Sequence, residues 1–495
     1  MKRKRSAVSP ARLPAREVAL EQFRLLLDPA EFSRLLAELE RPLYPSLRLN
    51  LLKVAPGAMA DLSKKYGWQV ENVPFCAAGW WVKEARQPIS QTIEHRLGQY
   101  YIQDAASMLP VELFDLYDSP FPLILDMAAS PGGKTTHLVD RTGDCGLVIA
   151  NDSSKSRITA LRLVLKTWGA VGAAITCFPG ERFGDWFPET FDRILLDAPC
   201  SMQGLRSTEN HPMRPITGRE RDSLADRQSR LLASAFRALK TGGQVVYSTC
   251  TLTPEENEGV LESLLQHYPN SVQVVDLSHR LPLPSPALRA AGELTFSPQI
   301  GGAARLWPHI YGTAGFFAAL LVKTAPVESV SSSPPFRAWR ASGLVELPRS
   351  ERDSLARLLL DGYGFDLITL LESFDWLLYR RAEVVYALPH RLVVDFSSLP
   401  FVSVGLQVGE YSPSGFILSH EWAARFEKNC PAGRFSIPTE RIEAWQRGED
   451  LHDIQTPATQ PGKIVLVQDE MGNYLGRGRA LSDRLKNLLP ARVVL

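Results

Sequence analysis

Between about residues 100 and 325 the chain alternates short, almost wholly apolar runs with longer amphipathic ones. The apolar runs are 121–127 (FPLILDM), 145–152 (CGLVIAND), 172–178 (GAAITCF), 191–199 (FDRILLDAP) and 242–250 (GGQVVYSTC). Runs this short and this apolar read as strands buried on both faces of a parallel sheet. The intervening stretches have helical period. In 153–169 (SSKSRITALRLVLKTWG), Ile158, Leu161, Leu165 and Trp168 share one face, with serine at the start and Gly169 at the end. Residues 316–324 (FFAALLVKT) read as the last strand. This alternation predicts a doubly wound, Rossmann-like α/β domain.

The flanks differ. Residues 15–100 mix helical and strand patterns, with 46–54 (SLRLNLLKV) reading as a strand. Residues 325–336 (APVESVSSSPPF) are rich in serine and proline, as linkers are. The expected division is an α+β N-terminal region (1–100), the α/β domain (101–325), a linker (326–338), a small intermediate domain (339–398) and a β-rich domain (399–495). A chain of 495 residues suits several domains.

A net charge of +1 confines any nucleic-acid site to local patches. One is the N-terminal arm, where Lys2, Arg3, Lys4, Arg5, Arg12 and Arg16 face only Glu17. It reads as a solvated arm, or more sharply as an RNA contact. No run of about 18 apolar residues occurs, so a cytoplasmic protein with no membrane span is expected. Six cysteines with no C-x-x-C spacing argue against a disulfide framework and against bound metal.

The first strand runs into DMAASPGGKTTHL (126–138). A glycine pair between strand and helix lets the backbone approach a ligand at the positive end of the helix. Position 128 is alanine, which excludes a phosphate loop, and no G-x-G-x-x-G occurs. The next strand ends in Asp152, twenty residues after Gly132, where an acid can accept both ribose hydroxyls of an adenosine ligand. The turn and the acid together favour a nucleoside cofactor. Without phosphate signatures, S-adenosyl-L-methionine fits better than NAD or ATP.

Cys200 and Cys250 each lie just past a strand end, so the topology puts both on the ligand-binding rim. After Cys250, Thr253, Pro254 and Glu256 read as N-cap, N1 and N3 of a capping box. Either cysteine alone reads as a small buried hydrophobe. A thiol beside a methyl donor has a specific use. Carbon 5 of a pyrimidine is a poor nucleophile until a thiolate adds to carbon 6. Asp197 is placed to assist at N3, and a base must then remove the carbon 5 proton so that the thiol can leave.

The stretches DMAASPGGKT, LLDAPCS (195–201) and YSTCTLTPEENE (247–258) resemble those of the Nop/Sun-type RNA 5-methylcytosine methyltransferases. Segments 47–53, 101–110 and 305–323 resemble the family's entry segments and closing strands, so the resemblance covers about 40 to 325. It implies that Cys250 attacks, Cys200 helps resolve the adduct, and Asp197 contacts the base. It also implies that Ala128, Ala129, Ser130, Pro131, Gly132, Gly133 and Lys134 form the cofactor loop, that Asp152 holds the ribose, and that Lys134 reaches the target pocket. The implied partner is RNA, small-subunit rRNA or its 30S particle ahead of tRNA, bound by a monomer. A non-catalytic RNA-binding assembly factor is the competing reading. Two positions depart from the family pattern. Pro179 stands where relatives hold the adenine amine with an acid, and Met202-Gln203-Gly204 follows Ser201 in place of Gly-x-Gly.

The last residues, 470–495, carry Arg477, Arg479, Arg484, Lys486 and Arg492 against Glu470 and Asp483. They resemble the end of a PUA-like RNA-binding domain, expected to start near 400 and to contact phosphate.

Overall fold

The computed structural model describes residues 15–116, 119–206, 214–413, 415–452 and 462–495. The basic arm before residue 15 lies outside them. The α/β domain is built on strands β1 (Leu123–Asp126), β2 (Leu147–Asn151), β3 (Ala173–Thr176), β4 (Phe191–Asp197), β5 (Leu239–Thr249), β6 (Val272–Val274) and β7 (Phe316–Lys323). Their order is β6-β7-β5-β4-β1-β2-β3. Strands β3, β2, β1, β4 and β5 are mutually parallel, while β7 is antiparallel to β5 and β6. Every residue of β1 and β2 is buried, as their unbroken apolar runs require. The chain moves outward from β1 through β2 to β3, then returns to β4 on the other side. That reversal opens a crevice at the carboxyl ends of β1 and β4.

Helices α1 (Gly133–Arg141), α2 (Lys155–Trp168), α3 (Gly218–Ala238) and α4 (Glu258–His267) cover the sheet. In α2 the predicted stripe of Ile158, Leu161, Leu165 and Trp168 is buried, and Gly169 ends the helix in the left-handed region at φ 86°.

The N-terminal region forms an antiparallel sheet of Gln69–Asn72, Gly79–Glu84, Ser46–Leu49 and Tyr100–Ile102, in that order. The strand expected over 46–54 stops at Leu49. The Asn50 side chain turns the chain by donating to the carbonyls of Gly98 and Trp168 at 2.8 and 3.0 Å. The sheet is joined tightly to the α/β domain. Fully buried Arg48 donates to Gly133 O (3.0 Å) and Thr136 Oγ1 (2.8 Å) in α1 and lies over the Trp168 ring.

Sheets and packing run across the expected division of the chain at three points. The N-terminal boundary at 100 falls inside the Tyr100–Ile102 strand. A five-stranded sheet running from Val345–Glu346 to Gly415–Leu418 crosses the boundary at 398, and the last sheet spans Arg434–Ser436 to Arg484–Asn487. The Ser/Pro stretch does not separate independent bodies. Phe396 packs into the α/β core, stacked on Phe191 at 6.3 Å, and Ser403–Val404 adds an antiparallel strand to the edge of β3. Edge pairing of this kind satisfies backbone groups that periodicity cannot assign. Among the described residues no helix is long and apolar enough to cross a membrane.

Candidate active site

The loop between β1 and α1 borders a cavity of about 220 Å³ at the crevice. Ala128, Ala129, Ser130, Pro131, Gly133 and Lys134 line it, as does Asp197 at the end of β4. The opposite wall is Tyr101, Ile102 and Gln103 from the N-terminal sheet. An added Cβ on Gly133 would stand 2.8 Å from Tyr101 Cε1, so only glycine leaves this wall its shape. Gly132, at φ 115°, faces Leu161 and Val164 of α2 and does not line the cavity.

Asp126, at the end of β1, also lines the cavity. One carboxylate oxygen accepts from Thr135 Oγ1 at 2.6 Å, while the buried Oδ1 has no partner among the described residues. Burial and the nearby Asp197 push this carboxyl up to about 7. A buried acceptor without a donor inside a lined cavity fits an ammonium group of a ligand. Asp152 is fully buried beside the same loop. Its Oδ1 accepts from Ser154 N (2.8 Å) and Arg157 Nη2 (3.0 Å), and its Oδ2 accepts from Ser130 N at 3.3 Å. Asp152 thus supports the loop and stands behind the cavity wall.

Lys134 Nζ lies 2.7 Å from Asp197 Oδ2, and Ser248 Oγ donates to Asp197 Oδ1 at 2.8 Å. Burial disfavours the ammonium, but Asp197 more than offsets it and holds Lys134 above its usual range. Cys250 contributes in the same direction, which places the thiol within electrostatic reach of this pair.

Cys200 and Cys250 come together at the ends of β4 and β5, with their sulfurs 3.2 Å apart. The hydrogen bond to Cys250 and then burial raise the Cys200 thiol well above its ordinary value, with Glu256 adding to the effect. At this separation either thiol can donate to the other.

The capping box expected after Cys250 is corrected. Pro254–Glu256 is a single 3-10 turn, Asn257 breaks the run at φ −121° and ψ −91°, and α4 begins at Glu258. Thr253 caps no backbone group. Its hydroxyl donates to Glu256 Oε1 at 2.7 Å. Glu256 is fully buried and gathers donors from three segments. Ser201, next to Cys200, donates its backbone N–H at 2.9 Å and its hydroxyl as well. Gln228 of α3 donates at 2.9 Å and also bonds Pro199 O. Sequence reasoning noticed Glu256 only as a local cap. Ser248, Gln228 and Tyr101 it did not assign, because nothing in their spacing points to Asp197, Glu256 or Gly133.

The departures from the family pattern have visible local structure. Met202 adopts φ 58° in the loop after Cys200. Glu181, two residues after Pro179, pairs with Arg227 of α3 at 3.5 Å. In the C-terminal patch, three of the five expected cations have internal partners. Arg477 donates to Leu418 O, Arg484 pairs with Asp450 at 3.3 Å, and Arg492 pairs with Glu421 at 2.6 Å. Arg479 and Lys486 stand directly opposite each other on adjacent strands.

Family models match two parts of the chain. The model of the 16S rRNA methyltransferase RsmB/F family matches residues 115–322, and that of the N-terminal domain of 16S rRNA methyltransferase RsmF matches residues 18–105. The chain is 34% identical to the ribosomal RNA small subunit methyltransferase F of Klebsiella pneumoniae, over 97% of this chain and 96% of that protein. It is 33% identical to the protein of that name from Aeromonas hydrophila subsp. hydrophila, over 94% of each. Among solved structures, a methyltransferase homolog from Pyrococcus horikoshii superposes with a TM-score of 0.52 at 30% identity, covering 64% of this chain and 100% of that one.

Proposed function

The chain belongs to the 16S rRNA methyltransferase RsmB/F family, and we propose that its reaction runs through a covalent Cys250 adduct on a cytosine of small-subunit rRNA. It is an S-adenosylmethionine-dependent methyltransferase acting on carbon 5 of cytosine in rRNA. The observation that carries the adduct is the thiol pair. Two cysteines 3.2 Å apart border the same crevice as the Lys134–Asp197 pair and the cofactor-end cavity.

Bound S-adenosylmethionine supplies an electrophilic methyl group. Ala128, Ala129, Ser130, Pro131, Gly133, Lys134 and Tyr101 would form its cradle, Asp126 would accept from its ammonium, and Asp152 would hold the loop on the ribose side through Ser130. An enzyme acting on one base in structured RNA turns that base out of its stack, and here the base enters between the cysteines and Asp197. Asp197 accepts from the exocyclic amine, and Lys134 donates to the ring edge. The Cys250 thiolate adds to carbon 6, which delivers electron density to carbon 5. Once the methyl group is on carbon 5 and S-adenosylhomocysteine is left behind, solvent water takes the carbon 5 proton. The electron pair of that C–H bond re-forms the ring double bond and expels the Cys250 sulfur as thiolate. The Cys200 thiol, held protonated by its surroundings, hydrogen-bonds to the departing thiolate.

The N-terminal sheet and the C-terminal β-rich region serve as RNA-binding flanks of the catalytic domain. The protein acts as a cytoplasmic monomer on the small-subunit RNA or its particle. Bisulfite sequencing of total RNA from a deletion strain tests the substrate. One cytosine of small-subunit rRNA should lose protection, and loss confined to tRNA, or no loss, would overturn the assignment.

A further inference from the structure

Away from the crevice, the outer face of α2, the edge of β3 and the intermediate sheet enclose a second cavity of about 560 Å³. It is more than twice the volume of the cofactor-end cavity and falls within the range of small-molecule sites. Its lining is mixed, with Leu165, Leu344, Leu399 and Leu406 beside Ser342 and Gln407. Three aromatic side chains, Trp339, Tyr386 and Phe401, face it. The Trp339 indole N–H is buried and has no acceptor among the described residues.

The mouth is cationic. Arg162, Lys166, Arg337 and Arg381 line it, and the lining includes no aspartate or glutamate. Lys166 is shared with Glu421 at 3.5 Å, and Arg337 donates to Ala341 O at 2.5 Å. Arg162 and Arg381 are exposed, and Arg381 lies over the Tyr386 ring at 5.5 Å from its centroid while donating to the Tyr386 hydroxyl at 3.2 Å. Aromatic walls, neutral polar groups and an arginine rim suit a nucleotide. A flat heteroaromatic ring stacks inside and accepts a hydrogen bond, while its phosphate remains at the mouth.

We propose that this cavity binds an unpaired nucleotide of the substrate RNA, with the base inside and the flanking phosphates on Arg162 and Arg381. The proposal rests on the rRNA-methylating reading above. It adds a second contact point, distinct from the pocket that receives the target cytosine. Recognition from a second base explains how a site that sees only one cytosine selects its RNA.

The test compares wild type with the double variant Arg162→Glu/Arg381→Glu, using a transcript of small-subunit rRNA. Both positions are on the surface, and unchanged S-adenosylmethionine affinity confirms that the variant is folded. RNA affinity should fall about tenfold, and the slope of log affinity against log salt should drop by about 1.5, as for two lost phosphate contacts. Crosslinking with 4-thiouridine-substituted RNA should label the peptide holding Trp339 or Tyr386. Unchanged affinity, salt slope and labelling would overturn the proposal. Binding of uridine monophosphate, lost in the variant while RNA affinity is unchanged, would assign the cavity to a free nucleotide and also overturn it. A wild type that binds RNA through this rim but methylates no cytosine would instead overturn the catalytic reading and leave the cavity assignment standing.

Discussion

The sulfurs of Cys200 and Cys250 lie 3.2 Å apart although fifty residues of chain separate them. The bond between the two sulfurs and burial raise the Cys200 thiol. The proposed reaction assigns the attack to Cys250. Incubated with RNA and S-adenosylmethionine, Cys200→Ala should accumulate a denaturation-resistant protein–RNA adduct, and Cys250→Ala should form none. The reverse pattern on a denaturing gel would assign the attack to Cys200.

Glu256 binds the loops of both cysteines to one carboxylate. Replacing it with alanine removes an acceptor shared by Ser201, Thr253 and Gln228 in a buried site. The expected loss is about 2–4 kcal/mol in urea unfolding. Glu256→Gln keeps the shape and should lose less. In it, adduct formation should slow while RNA affinity is retained. Equal adduct rates in Glu256→Gln and wild type would show that the carboxylate supports folding alone.

Gly133 and Tyr101 are fitted to each other at the cofactor cavity. Gly133→Ala sets a methyl group 2.8 Å from the Tyr101 ring and should weaken S-adenosylmethionine binding about tenfold by calorimetry. Tyr101→Ala should restore part of that loss in the double variant. Additive losses would show that the contact is not the cause.

Asp126 makes a pH prediction. Its carboxyl titrates near 7 in the folded chain and near 3.8 when unfolded. Between those values the folded state holds a proton that the unfolded state has released, so this group's contribution to stability falls as pH rises toward 7 and is constant above it. Asp126→Asn removes that slope, so the variant should gain stability relative to wild type from about pH 4 to pH 7. Binding of the cofactor ammonium needs the carboxylate. Wild-type affinity should therefore rise toward pH 7, and that of the variant should stay flat. A difference in unfolding free energy that does not change with pH would contradict the buried-acid reading.

The parallel strands, the glycine loop and the placement of both cysteines past strand ends were legible in the sequence. Each depends on short-range pattern. Doubly buried strands are apolar throughout, and a strand-to-helix turn at φ 115° needs glycine at position 132. The Asp152 spacing placed that acid beside the loop, but its neighbours Ser154 and Arg157 and the N–H of Ser130 already occupy much of its carboxylate.

Tertiary structure decided the rest. Thr253 and Glu256 have the spacing of a cap, yet the Glu256 side chain meets Ser201 from fifty-five residues away, and a fully buried polar group needs hydrogen-bond partners. The domain edges were hidden for a related reason. Phe396 finds Phe191, and the strand at 403–404 finds β3, through pairings that leave no periodic trace in the chain. The basic tail shows the same limit. Composition counts Arg477, Arg484 and Arg492 as available cations, but packing turns them toward Leu418, Asp450 and Glu421. Periodicity records which face of an element is buried, and only the folded chain determines what that face is buried against.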